Sequence, residues 1–458
     1  MMARARTRTC LMAAAAMVVS VHIPARAMSL QDALVSAYST NPQLAAAQAQ
    51  QRKTYEGVPQ ALAAGRPTIQ AQGGVGATNG AAAAGSHDSA NGSQTESRVG
   101  PVGAVAISVP LWTAGRVDAA LAGARSRIAA GNAILQTSEQ DVLLRTATAY
   151  VDVLRAEKVL DVDRQHETEL TAELASAKRR QAAGALRAAD VAETEARRAQ
   201  AQARLTEAQG DLDAAREVFL GIVGVAPDDL QAPGMPPGLP GSRDEEIAAA
   251  ADNPSLKTAS EVVAGARSAV DAARAQLRPG LAAQASLGVP YSSGEIVLTV
   301  PLFDGGLAES QTRGAKQELQ QRQQELDSQR NAVRQDAVTS WQALTTARAA
   351  TEANRTQVTA SRAARDSLRR EQAQGLRTQL EVLDADQRLL DAELALASAQ
   401  RDIVVAAYRV LAAAGRLTAD NLNLPVQRYD PDRYAAATGT PLWDPHEVGQ
   451  AYLGGEHK

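Results

Sequence analysis

The chain has 458 residues, 47 basic against 51 acidic, with 45% hydrophobic but only 3% aromatic residues and a single cysteine. So few aromatics argue against a conventional globular core of this size, whereas abundant alanine, glutamine, arginine and leucine suit long helices packed closely through small side chains. One cysteine excludes a disulfide framework and a Cys-based metal site, and the acidic balance argues against nucleic acid as a partner.

Residues 1–27 read as a secretory signal peptide: Arg4, Arg6 and Arg8, an apolar stretch from Cys10 to Val21, then Ala25-Arg26-Ala27 before Met28. The stretch is too short to span a bilayer, which takes about 20 residues. Cys10 stands at its start, not at the mature N-terminus, which makes a lipid anchor unlike this pattern. Removal of the signal leaves 43 basic against 51 acidic residues, a net charge of −8, and no cysteine.

Residues 28–226 form a first structural repeat. A helix from about Asp32 to Ala64 ends before Arg66-Pro67, because the residue preceding proline is pushed out of the helical region. A strand at about 68–76 puts Ile69, Ala71, Gly73 and Val75 on one face and Gln70, Gln72 and Gly74 on the other, the alternation of a sheet between two different solvents. Gly76 to Arg98 has no periodicity and reads as a loop. A second strand, about 99–109, sets Val105, Ile107 and Val109 against Ala104, Ala106 and Ser108. From Pro110 the chain runs without proline to Pro227. That run predicts a helix over 117–183, about 100 Å long at 1.5 Å per residue, a turn at Ala182-Ala183-Gly184 where glycine permits the left-handed C-cap, and a helix over 188–219. The two shorter helices, each about half the length of the long one, can stack end to end beside it. Residues 227–243, with Pro233, Pro236, Pro237 and Pro240, predict a stiff extended linker.

Residues 244–424 repeat this order. Ser108-Val109-Pro110-Leu111-Trp112-Thr113-Ala114-Gly115 returns as Thr299-Val300-Pro301-Leu302-Phe303-Asp304-Gly305-Gly306, an offset of 191 that also carries Tyr150 to Trp341, Gly184 to Gly375 and Gly224 to Gly415. Upstream, Asn41-Pro42 and Arg66-Pro67 return as Asn253-Pro254 and Arg278-Pro279 at an offset of 212. Strands are expected at about 280–289 and 295–300, a long helix at 308–373, a turn at Ala373-Gln374-Gly375 and a helix at 379–411. The tail, 425–458, reads as peripheral or disordered. Units this long are not a solenoid, whose repeat is roughly 20 to 50 residues; they are duplicated half-molecules.

Four membrane-grade strands cannot close a barrel, since the smallest have eight strands and lipid tolerates no open edge. The chain must therefore oligomerise, two copies giving eight strands, three twelve and four sixteen. Spacing alone does not choose among them. A signal peptide, short strands and oversized helical hairpins describe a duct, not an enzyme.

These residues resemble the TolC-type outer-membrane exit ducts. The resemblance is carried by Leu30-Gln31-Asp32-Ala33-Leu34 through Asn41-Pro42-Gln43-Leu44, by Val58-Pro59-Gln60-Ala61-Leu62, by the strand ends at Pro110-Leu111-Trp112 and Pro301-Leu302-Phe303, and by Gly375-Leu376-Arg377-Thr378 with Glu381-Val382-Leu383-Asp384-Ala385. It covers about Leu30 to Gly415. It implies a mixed membrane protein: a homotrimer with a twelve-stranded transmembrane β-barrel, four strands per chain, continued by a periplasmic α-helical barrel. It implies an outer-membrane exit for a tripartite efflux or type I secretion system, served by a periplasmic adaptor and an inner-membrane pump of ABC or RND type, with outer-membrane lipid as the surrounding solvent and no cofactor. The alternative from the residues alone is a soluble periplasmic coiled-coil scaffold or adaptor whose strands form a small sheet.

By the same resemblance Glu381 and Asp384 gate a periplasmic aperture, Arg377 and Asp190 latch it, and Gly184 and Gly375 shape the tips on which an adaptor docks. Read without it, Glu381 and Asp384 share one helix face and make a solvated charged surface, and Arg377 with Asp190 is a surface pair worth at most about 1 kcal/mol. Trp112 and Phe303 stand where strand becomes helix, as membrane-interface aromatics do; core packing is the other reading. Tyr150 and Trp341 read as packing residues. His87, His166, His446 and His457 lack metal-ligand spacing, and no Ser/His/Asp order or phosphate-binding glycine loop appears.

Overall fold

The computed structural model describes residues 27–79, 97–289, 292–430 and 433–434. Residues 1–26, most of the stretch from Gly76 to Arg98, Pro290 and Tyr291 of the second turn, and the tail beyond Tyr434 lie outside the described residues, as do His87, His446 and His457; the expected signal peptide, 1–27, falls almost wholly there.

The first segment is three helices, α1 (Leu30–Thr40), α2 (Pro42–Tyr55) and α3 (Gly57–Ala63), where one helix from Asp32 to Ala64 was expected. Both breaks have a proline behind them. Pro42 takes the first position of α2, and the Asn41 side chain accepts the Gln43 N–H at 2.9 Å, capping the new helix. Pro59 cannot donate to the carbonyl four residues back, that of Tyr55, and its ring clashes there, so α2 ends and α3 begins between them. In the second half the break recurs between α6 (Arg243–Ala249) and α7 (Pro254–Ala275), with Asn253 accepting from the Ser255 N–H at 2.9 Å.

The long helices α4 (Arg116–Ala182) and α8 (Leu307–Ala373) have 67 residues each, about 100 Å. Each turns at a tip glycine with positive φ, 73° at Gly184 and 76° at Gly375, a conformation that a Cβ makes costly. The returning helices are α5 (Ala188–Val223) and α9 (Gln379–Ala413). They run past Phe219 and Leu411, the expected ends, by four residues and two.

α5 and α2 stack end to end beside α4, and α9 and α7 likewise beside α8. The join is made by the capping asparagines: Asn41 Nδ2 donates to the Ile222 carbonyl at 3.0 Å and Asn253 Nδ2 to that of Ala413 at 2.9 Å. Packing between elements then gives a curtain four helices wide, α2–α4–α7–α8 in the strand-proximal half and α5–α4–α9–α8 in the tip half.

The strands β1 (Thr68–Asn79), β2 (Ser97–Trp112), β3 (Gly280–Val289) and β4 (Ser292–Thr299) form one antiparallel sheet in that order. β1 and β2 extend further into their loop than expected. β2 also passes through Pro110, with a register shift between Pro110 and Trp112 where the missing N–H is accommodated as a bulge. β4 covers 292–299 and not 295–300, because its ladder with β3 runs from Ser292 opposite Leu287 to Thr299 opposite Gly280, where β3 begins.

The main apolar cluster lies where the stacked helices meet. It includes Leu34, Leu143, Val223 and Leu417 and the fully buried Tyr150, whose ring lies 6.2 Å from that of Phe219, whereas Trp341 is half-buried. The Tyr150 hydroxyl lies 2.7 Å from both the Met28 and the Gln231 carbonyl oxygens, of which its single proton serves one at a time. Met28 and Leu230 form a parallel bridge, so the linker is seated against α4 and is more than a spacer. The start of the tail is packed too: Tyr434 lies edge-on to Tyr55, with ring centroids 6.3 Å apart, and its hydroxyl donates to Glu56 at 2.8 Å. These contacts tie the described start of the tail to the C-terminal end of α2.

Candidate functional site

The ladder sorts the sheet into two faces. Ile69 pairs with Ile107, Ala71 with Val105, Val105 with Leu287, Val109 with Ala283, Ala283 with Ile296 and Leu281 with Leu298, all on one side. The opposite side carries Gln70, Gln72, Ser108, Gln284, Ser286, Ser293 and Glu295. The apolar side is bare: Val75 is 79% exposed and Ile296 70%. A soluble sheet packs such a face, so the scaffold reading has no place for it, whereas a strand between lipid and water presents this alternation. No helix among the described residues is long and apolar enough to cross a membrane. β1 and β4 leave open edges, which a bilayer does not tolerate. Trp112 and Phe303, 53% and 90% exposed at the strand–helix junctions, have no core packing.

At the second tip, Thr378 and Glu381 form a capping box that starts α9: Oγ1 of Thr378 accepts the Glu381 N–H at 3.3 Å, and the Glu381 carboxylate accepts the Thr378 N–H at 2.8 Å. Arg377 Nη1 donates to Glu381 at 3.0 Å and its Nε to Glu371 at 2.8 Å. The Thr378 N–H and hydroxyl, then Arg377, hold the Glu381 carboxyl below its ordinary value; Arg377 does the same for Glu371. Asp384, one turn on, takes Arg197 of α5 at 2.8 Å. The two acids are therefore not bare charges, and each has its own arginine.

Arg377 and Asp190 are not joined within the chain. Arg377 is spent on its own turn, and Asp190 receives both Nε and Nη2 of Arg187, at 3.1 and 3.2 Å, because three residues separate them on the first helical turn. The links that do tie the α4/α5 hairpin to the α8/α9 hairpin are others. Arg197 reaches Asp384; Gln379 Nε2 donates to Glu173 at 2.7 Å; Arg369 Nη2 bridges Glu169 at 2.7 Å and Asp386 at 2.9 Å. Asp386 is only 8% exposed, and burial lifts its carboxyl above the ordinary range against the pull of Arg369. His166 lines a polar cavity of about 260 Å³ with Glu169 and Asp386, and burial lowers its pKa. Sequence reasoning missed Glu169, Glu173, Arg197 and Arg369. Each is one charge among many on a helix surface, and its partner lies up to 206 residues away.

The sequence profile described as "Outer membrane efflux protein" matches residues 33–224 and 248–416. The outer membrane efflux protein BepC of Brucella suis biovar 1 is 30% identical over 424 residues, which is 89% of this chain and 90% of that protein. Among solved structures, the outer-membrane channel OprN aligns with a TM-score of 0.72 at 18% identity over 84% of this chain and 89% of its own. The outer membrane protein VceC of Vibrio cholerae gives 0.72 at 18% over 84% and 96%, and the CmeC outer membrane channel of Campylobacter jejuni 0.73 at 14% over 89% of each. The fold is thus that of the TolC-type channels with their helical barrel, and the chain belongs to the outer membrane efflux protein family.

Proposed function

We propose that three copies of this chain close into a twelve-stranded barrel continued by a twelve-helix tube, and that this trimer is the passive outer-membrane exit of a tripartite system. One observation carries the reading: the sheet and the helical curtain are open at the same two flanks. β1 and the α2/α5 stack end one flank, β4 and α8 the other. Joining flank to flank in a ring satisfies both at once, the heterologous closure that makes rings. The two half-molecules, 28–226 and 244–424 with the linker 227–243 between them, are a tandem duplication on this reading, supported by the recurrence of both Asn-Pro joins and both tip glycines.

Trp112 and Phe303 then mark the membrane interface, and the tips at Gly184 and Gly375 face a periplasmic adaptor that connects to an inner-membrane pump of ABC or RND type, for efflux or for type I secretion. Glu381 and Asp384 line the aperture, each balanced by an arginine of its own chain, so the constriction is less anionic than six free carboxylates. Arg377 and Asp190 act as a latch only between neighbouring copies.

Native mass spectrometry of the mature protein, with single-channel recording in planar bilayers, tests this. Trimers that form discrete pores are expected, and Glu381→Gln with Asp384→Asn lowers cation selectivity while leaving the α9 cap intact, since glutamine also serves a capping box. A monomer without conductance overturns the duct, and unchanged selectivity in the double variant removes the gate.

A further inference from the structure

The described chain holds a groove of about 840 Å³ that the channel reading does not use. α9 is its floor, α4 and α8 are its walls, and the linker at Ala232–Met235 closes one end. All of it comes from one chain, and neither α2 nor α5, the open flank, contributes. Its volume is that of small-molecule sites, which run to about 1,000 Å³.

The lining has two chemistries. Val151 and Leu154 of α4, Ile403 and Val404 of α9, and Met235 of the linker make an apolar strip. Above it stand five cations, and three have carboxylate partners: Lys158 with Asp161 at 2.9 Å, Arg355 with Glu352 at 3.6 Å and Arg401 with Asp152 at 2.7 Å. The remaining acid in the lining, Glu157, is taken by Arg216 at 3.0 Å. That leaves Arg155 on one wall and Arg348 on the other, neither in an ion pair among the described residues. Arg155 is half-buried and Arg348 exposed, so an anion between them meets two guanidinium groups without having to displace a carboxylate.

We propose that this groove binds an amphipathic organic anion, with a carboxylate, sulfonate or phosphate head held between Arg155 and Arg348 and an apolar body laid along the α9 floor towards Met235. A neutral amphiphile lacks the head that the two guanidinium groups call for, and a cation is repelled by them. The linker that joins the half-molecules forms the closed end, so an occupied groove bridges both hairpins and the linker. The site needs no particular number of copies, and its test is independent of the pore.

The mature chain has no cysteine, so Gln400→Cys, an exposed position in the lining, gives a single reporter. In nanodiscs, its alkylation by iodoacetamide is followed with 2-naphthalenesulfonate as the probe, with 2-naphthol and a naphthyltrimethylammonium salt as neutral and cationic controls, and with a cysteine at exposed Gln317 as a remote reporter. Alkylation falls about fivefold at a sulfonate concentration about four times its dissociation constant, and only for the anion and only at position 400. Arg155→Gln with Arg348→Gln abolishes the protection, and native mass spectrometry shows the same oligomer for both forms. Equal protection by naphthol reduces the groove to a hydrophobic cleft and overturns the proposal. So does protection that survives the double substitution, or none by the sulfonate.

Discussion

Glu246 holds in the second half the position that Leu34 holds in the first, at the offset of 212. Both are buried, but neither carboxylate oxygen of Glu246 has a hydrogen-bond partner. Burial raises its pKa to about 7, with Arg416 opposing and Asp336 and Glu245 adding to the rise. The folded pKa thus lies above the ordinary 4.5. The proton is held more tightly in the folded state, so this contribution to stability is complete below about 4.5 and is lost as pH rises through about 7. Glu246→Gln should flatten the apparent melting temperature between pH 5 and 8 relative to the parent, whose stability declines by on the order of 2 kcal/mol over that window; parallel profiles in differential scanning fluorimetry would rule this out. Arg369 is the converse case. Arg369→Ala leaves the nearly buried Asp386 without its cation, at a cost of about 1–3 kcal/mol, and mild acid should restore part of it by protonating a carboxyl already displaced upward. Hydrogen exchange along residues 383–390 at two pH values reads both effects.

Elements are decided by local chemistry wherever a residue has one strong preference. Asn-Pro, strand alternation and tip glycine were all visible in the chain, yet Asn41-Pro42 was read as a repeat marker inside one helix. The cap it makes is local, on the Gln43 N–H, but its role in joining two helices depends on the end of α5, 181 residues away, where it donates to the Ile222 carbonyl. Strand faces were legible throughout, because side chains alternate whatever the register. That alternation gives a sharp contrast: Ile296→Arg, on the bare apolar face, should block barrel insertion at a cost of about 2–4 kcal/mol, whereas Glu295→Arg on the polar face should insert normally and shift ion selectivity towards anions. Heat-modified electrophoretic mobility scores insertion and reversal potentials score selectivity; insertion of both alike would refute the assignment of faces.

At the scale of the whole molecule, Tyr150 brings together three segments: α4, the residues just before α1 and the stretch between α5 and α6. Tyr150→Phe keeps the packing against Phe219 and removes the hydroxyl shared by the Met28 and Gln231 carbonyls, a loss of about 1 kcal/mol. Faster amide exchange confined to residues 28–31 and 229–235 is the expected result, with oligomer mass and conductance unchanged. Exchange that rises evenly along α4 would mean that the ring, not the hydroxyl, holds the segments.

By itself the sequence determined what is periodic or local: two proline-free hairpins with their tip glycines, and the two-faced strands. The tertiary structure decided which charges meet. The hairpins touch along helices whose surfaces are crowded with arginine, glutamate and aspartate, and any of several registers satisfies the same pattern of small apolar residues. Only the packed register places Arg197 on Asp384 and Arg369 on Glu169, because an ion pair acts over a few ångströms while the residues forming it lie up to 249 positions apart along the chain; the hold of Thr378 and Arg377 on Glu381 is local, three and four residues apart.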